Sequence, residues 1–144
     1  MERPDWIGLL ARSRPDHLAA LMAELGELPG HVWLRPPETG SVMVRGRAGG
    51  TGAPFNLGEV TATRCALRLP DGTEGHAFVQ GRDQDHARHA ALVDAVMQGD
   101  RAAQARASVL EPLARDEATR RETTARKAEA TRVEFETMVR GEDT

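Results

Sequence analysis

Apolar residues follow two rhythms along the chain, and the switches between them mark its elements. Trp6, Ile7, Leu9 and Leu10 fall within residues 5–11, which predicts a short first helix. Ser13-Arg14-Pro15 punctuates it, and proline suits the first turn of a second helix because its missing N–H would have no partner there. Leu18, Leu21, Met22 and Leu25 then recur at helical spacing, and Gly26, with Pro29-Gly30 behind it, ends that helix.

From position 31 the period becomes two. Val32 and Leu34 alternate with His31, Trp33 and Arg35, and Val42 and Val44 alternate with Met43 and Arg45. A longer run over 59–69 places Thr61, Thr63, Cys65, Leu67 and Leu69 on one face. Val60, Ala62, Arg64, Ala66 and Arg68 lie on the other. Such alternation describes a sheet with one face turned to water or to a partner. Pro70-Asp71-Gly72 supplies a turn, and residues 76–80 a returning strand. The connections are too short for crossover helices, so the strands, about four of them over residues 31–80, are expected to be antiparallel.

Helical spacing returns at Asp83, which can cap a helix over 83–98 in which Ala90, Val93 and Met97 share a face. Gly99 stops it. Residues 101–107 read as a further helical piece, Val109-Leu110-Glu111-Pro112-Leu113 as an interruption, and 115–139 as a last helix. Between positions 116 and 132 that helix carries no apolar side chain larger than alanine, so it has no broad stripe to bury. Either it lies in water with local ion pairs, or it reaches to another subunit with Val133, Phe135, Met138 and Val139 as an anchor. The pattern as a whole predicts a single α+β domain over residues 1–144. It has N-terminal helices over 5–25, an antiparallel sheet and a long, polar C-terminal helix.

Composition narrows what such a domain does. A length of 144 residues fits one domain. Alanine accounts for 22 residues, aromatics for only five, and tyrosine is absent. A core of this kind buries little area per residue, so part of the folding energy is expected from a partner surface. The net charge of −3 argues against broad nucleic-acid binding, which needs surplus cations to displace counterions. Cys65 is the only cysteine, which excludes an internal disulfide and a thiolate zinc cluster. The start of the chain lacks the basic and then apolar regions of a secretory signal, and no apolar run approaches membrane-spanning length. A soluble, cytoplasmic protein with no membrane and no nucleic-acid partner is therefore expected.

Two short motifs invite chemistry. Gly49-Gly50-Thr51-Gly52 joins two strands, and glycines at positive φ can aim successive N–H groups at an anion, or simply make a tight turn. Gly81-Arg82-Asp83 opens a helix, where free N–H groups beside Arg82 could hold a phosphate, or Asp83 could merely cap. His86 and His89 are three apart and can share a helix face, but a metal would need further ligands, and none is expected here. No Ser-His-Asp order or Cys-His pair can be assembled, so no catalytic residue is assigned.

Several stretches, taken together and in order, are similar to the PhnG family, the small subunit of the carbon–phosphorus lyase core complex. They are Ser13-Arg14-Pro15, Glu38-Thr39-Gly40, Gly49-Gly50-Thr51-Gly52 and Gly58-Glu59-Val60-Thr61-Ala62-Thr63-Arg64. Further along come Gly81-Arg82-Asp83 with His86-Ala87, Ala91-Leu92-Val93-Asp94-Ala95 and Thr137-Met138-Val139-Arg140-Gly141. The resemblance implies a non-autonomous subunit of a transferase complex in phosphonate catabolism. That complex makes α-D-ribose 1-methylphosphonate 5-triphosphate from ATP and methylphosphonate and releases adenine. It further implies PhnH, PhnI and PhnJ as partners, PhnI in direct contact, with self-association also open, and no cofactor in this subunit. Because substrate and product both carry a triphosphate, Gly49, Gly50, Thr51, Gly52, Arg64 and Arg82 become candidate phosphate contacts. Asp83 and His86 form a candidate polar site, and Phe135, Met138 and Val139 a candidate subunit interface. Where the family commonly has two adjacent aromatics, this chain has Phe135-Glu136, so half of that anchor is missing. A purely structural adaptor and a stand-alone phosphate-ester-binding protein are the alternative readings.

Overall fold

The computed structural model describes the backbone of residues 1–142 and the side chains of residues 1–132. Its elements run α1 (Arg3–Arg12), α2 (Pro15–Leu25), β1 (Val32–Arg47), β2 (Pro54–Arg68), β3 (Glu74–Gln80), α3 (Gln84–Val96), α4 (Ala102–Ala105) and α5 (Glu111–Glu142). The chain divides into two compact units, residues 1–113 and 114–144.

In the first unit, the α+β reading and the antiparallel order hold, with three strands in the order β1-β2-β3 where about four were expected. The difference lies at Pro36-Pro37. Neither proline can donate a ladder hydrogen bond, yet the strand does not end there. It shifts register between Trp33 and Arg35 and again between Arg35 and Glu38, so two expected strands are one bulged strand of 16 residues.

The face alternation of β2 holds in part. Thr63, Cys65, Leu67 and Leu69 are buried while Arg64 and Arg68 are exposed, but Ala62 and Ala66, assigned to the outer face, are buried as well and Thr61 is half-buried. The helices α1, α3 and, through α3, α2 pack on the buried face. Leu10, Leu18, Leu25, Leu67 and Val79 are almost fully buried there, each contributing about 1.5–3 kcal/mol of transfer free energy. Alanine has a specific place in this core. Ala87, Ala90, Ala91 and Ala95 of α3 are at most 2% exposed, and their short side chains let the helix axis approach the sheet closely. Gly75 on β3 completes that approach, since a Cβ built on it would lie 2.0 Å from the Ala91 carbonyl oxygen.

The expected interruption around Pro112 does not occur. A π-helical turn over Arg106–Leu110 leads straight into α5, and Pro112 is tolerated because it lies in the first turn of that helix. In the second unit α5 is laced by i,i+4 ion pairs: Asp116–Arg120 at 3.2 Å, Glu117–Arg121 at 2.7 Å, and Glu122–Arg126. Such pairs each add a few tenths of a kcal/mol to an exposed helix, about 0.2–0.5. The proposed anchor Phe135, Met138 and Val139 lies outside the described side chains.

Candidate functional site

The end of β3 brings together three of the sequence-selected residues, Arg82, Asp83 and His86. β3 stops at Gln80, opposite Ala62, and the chain turns at Gly81 with φ of +98°, a conformation natural only to glycine. That turn is clamped. The Gly81 N–H donates to the Thr61 carbonyl at 2.8 Å, and the Thr63 hydroxyl donates to the Gly81 carbonyl at 2.7 Å. Arg82 is thereby exposed. Asp83 caps α3, its Oδ1 accepting from the His86 N–H at 2.9 Å.

Beside this turn lies a hollow of about 580 Å³ between the sheet residues Val42, Val60, Ala62 and Phe78 and the α1–α2 corner. A second hollow, of about 250 Å³, shares Val42, Ala62 and Phe78 with it and adds Glu38 and Arg64. The two form one depression, largely apolar at its centre and carrying Arg64 at one end. Arg64 is also 3.5 Å from Glu38, so its charge is partly neutralised at rest.

His86 proves to be structural in its main contacts. It is 3% exposed, and its Nε2 lies 3.0 Å from the Leu10 carbonyl oxygen and 3.2 Å from Ser13 Oγ. The Ser13 hydroxyl itself donates to Leu10 at 2.7 Å, so Nε2 must carry the proton that both oxygens accept. Nδ1 is left buried with no hydrogen-bond partner. This arrangement ties the α1–α2 corner to α3.

A third hollow, of about 420 Å³, lies at the start of α3 and is lined by Asp16, Asp83, Asp85, His86 and His89. Burial holds the His89 imidazole below its ordinary range, helped by Arg88, while Asp85 and Asp83 pull it back. Three carboxylates, Asp16, Asp83 and Asp85, oppose an anion in this hollow. Among the described residues, no three His, Cys, Asp or Glu side chains are placed so that they could hold a metal ion.

Gly49, Gly50, Thr51 and Gly52 are not brought to this depression. They form the tip of the β1–β2 ribbon, with φ of +61° at Gly49 and +82° at Gly50, and Arg47 Nη1 donates to the Gly52 carbonyl at 3.2 Å. From Pro54 to Arg64 the strand runs roughly 30 Å at ~3.3 Å per residue. One phosphate group therefore cannot bridge the glycine tip and Arg64.

Cys65 is buried, donates to the Ala87 carbonyl at 3.3 Å, and its thiol is pushed up to about 11 by desolvation. The thiolate is the reactive form. Native protein is thus expected to resist iodoacetamide at about pH 8 and to be alkylated fully only in denaturant, as read by intact mass. Rapid native labelling would contradict this burial.

Sequence reasoning missed the importance of Asp94. Its only signal was a carboxylate inside the otherwise apolar run from Ala90 to Met97, and in the fold it is completely buried.

Two comparisons bear on what such a chain does. A family described as phosphonate metabolism protein PhnG matches residues 1–141. A protein of Rhizobium meliloti (strain 1021), the alpha-D-ribose 1-methylphosphonate 5-triphosphate synthase subunit PhnG, is 46% identical over 146 residues. That alignment covers 99% of this chain and 91% of the relative.

Proposed function

The chain belongs to the PhnG family, and from that premise we propose that it is a non-autonomous subunit of a ribose 1-methylphosphonate 5-triphosphate synthase. The activity is a transferase step in phosphonate catabolism, in which the complex takes ATP and methylphosphonate and releases adenine. PhnH, PhnI and PhnJ are its partners, with PhnI in direct contact. The observation that carries this reading is the full-length identity to a named subunit of that enzyme.

Within the assembly, Arg64 and Arg82 are the side chains we assign to the triphosphate. Both are exposed. Arg82 has no carboxylate partner among the described residues, and the weak Arg64–Glu38 pair can be exchanged for a more highly charged anion, for which guanidinium geometry is well suited. Tagged chain co-expressed with PhnH, PhnI and PhnJ is expected to recover a stable complex that forms product. Arg64→Ala and Arg82→Ala should each leave assembly intact and lower kcat/KM by about tenfold to a hundredfold, the loss of a charged hydrogen bond. Full activity in both variants would favour the adaptor reading instead. A well-folded chain that ignores all three partners would remove the subunit reading altogether.

A further inference from the structure

The β1–β2 ribbon continues well past the body of the sheet. β3 pairs with β2 only from Ala62 to Arg68, so residues 41–47 and 54–61 form a ribbon with just two strands. Isolated two-stranded ribbons are marginal in water, and this one exposes large apolar side chains. Phe55 is 45% exposed, Leu57 61% and Met43 47%. Leu57 is the extra residue of a bulge, because Val44 pairs with Gly58 and Arg45 already pairs with Asn56. The bulge turns Leu57 over Gly46, where a Cβ would lie 2.9 Å from Leu57 Cδ1. Gly46 thus leaves room for that side chain to lie across the ribbon.

Charge separates this ribbon from the rest of the sheet. Arginines within the sheet body, and Arg3 against it, have carboxylate partners: Arg3 with Asp94, Arg35 and Arg64 with Glu38, Arg68 with Glu74; Arg82, past the end of β3, has none among the described residues. On the ribbon, neither Arg45 nor Arg47 has a carboxylate partner among the described residues. Arg45, Pro54, Phe55 and Asn56 surround a hollow of about 240 Å³. Guanidinium groups without a carboxylate partner, beside exposed aromatic and aliphatic side chains, are the composition of an interface rather than of a solvated surface.

We propose that this ribbon is an insertion arm that docks into an acidic, apolar-floored groove on a different protein subunit. The proposal rests on the subunit reading above and adds the surface and the chemistry of its partner. Phe55 and Leu57 are the apolar anchors, and Arg45 and Arg47 meet carboxylates at the rim. Arg45 and Arg47 outnumber the single carboxylate of the arm, Glu59 opposite Met43, so its net charge is positive and favours an acidic, unlike partner over a second copy.

The test is co-expression of the full chain with PhnH, PhnI and PhnJ after nuclease treatment. It compares wild type, Phe55→Asp/Leu57→Asp, Arg45→Glu/Arg47→Glu and Val32→Asp. Val32 is 61% exposed at the other end of the sheet and serves as the control. Recovery of partners is expected to fall about tenfold or more for both arm variants, the size of effect seen at interface anchors. The Val32 variant should recover them as wild type does, and all variants should melt with wild type. Undiminished recovery by either arm variant overturns the proposal while leaving the subunit reading in place. Loss of the complex on nuclease treatment overturns it in favour of a nucleic-acid bridge. Failure of wild type itself to assemble sinks both readings.

Discussion

Gly75→Ala is expected to destabilise the first unit by about 3 kcal/mol, the upper range for overpacking a tight site. The cause is geometric. The added methyl would lie 2.0 Å from the Ala91 carbonyl oxygen and 3.0 Å from both Ala91 C and Ala95 Cβ. Backbone at that distance cannot rotate away, so α3 must lift from β3 as a body. Ala87, Ala90, Ala91 and Ala95 would then lose contacts that only close approach supplies. At the entropy of unfolding usual for about a hundred residues, the melting temperature should fall by roughly 14 °C. Gly30→Ala, at a position with nothing within 4 Å, is the control and should stay within about 0.5 kcal/mol of wild type. Removing the Ala95 methyl in Gly75→Ala/Ala95→Gly should not restore stability, because the worst collision is with backbone rather than with that side chain. Wild-type melting of Gly75→Ala would show that helix and sheet are not packed this closely.

How far the sequence revealed this fold follows from what each residue does locally. Helix ends at Pro15 and Asp83 and the alternation of 59–69 were legible because capping and face selection act within a few residues. The alternations at Val32/Leu34 and at Val42/Val44 read as separate strands because the bulges that join them are fixed only by pairing with β2. Pro112 misled because it is compatible with a helix start as well as with a break. At the candidate site, the sequence placed a turn and a helix cap at Gly81-Arg82-Asp83, and the structure has both. The sequence could not show that His86 is bound to Leu10 and Ser13, 76 and 73 positions away. Nor could it show that the glycine tip and Arg64 lie far apart on one strand. Gly75 was invisible for the same reason: its requirement comes from a helix that begins nine residues later.

Asp94→Ala is expected to cost about 3 kcal/mol, within the range for breaking a buried charge pair. Asp94 is 0% exposed and lies in the last turn of α3, where the helix dipole disfavours a carboxylate. It is tolerated because every approach to it ends in a donor. Arg3 Nε reaches Oδ1 at 3.0 Å and Arg3 Nη2 reaches Oδ2 at 2.8 Å. Trp6 Nε1 donates to Oδ1 and the His76 N–H to Oδ2, both at 2.9 Å. One side chain therefore joins α1, α3 and β3, and its interaction raises the Arg3 guanidinium above its already high ordinary value. Truncation would leave the Trp6 and His76 donors without an acceptor in a dry site, each costing about 1–3 kcal/mol if no water enters. Asp94→Asn should fare little better, since its NH₂ would face donors on one side. Arg3→Ala is expected to cost less, about 1–2 kcal/mol, because the Arg3 side chain is 42% exposed and its removal admits water to the carboxylate. Chemical denaturation of the three variants measures the order directly. If Asp94→Asn were as stable as wild type, the carboxylate charge would have no part in fastening α1 to the sheet, and the shape of the side chain alone would explain the site.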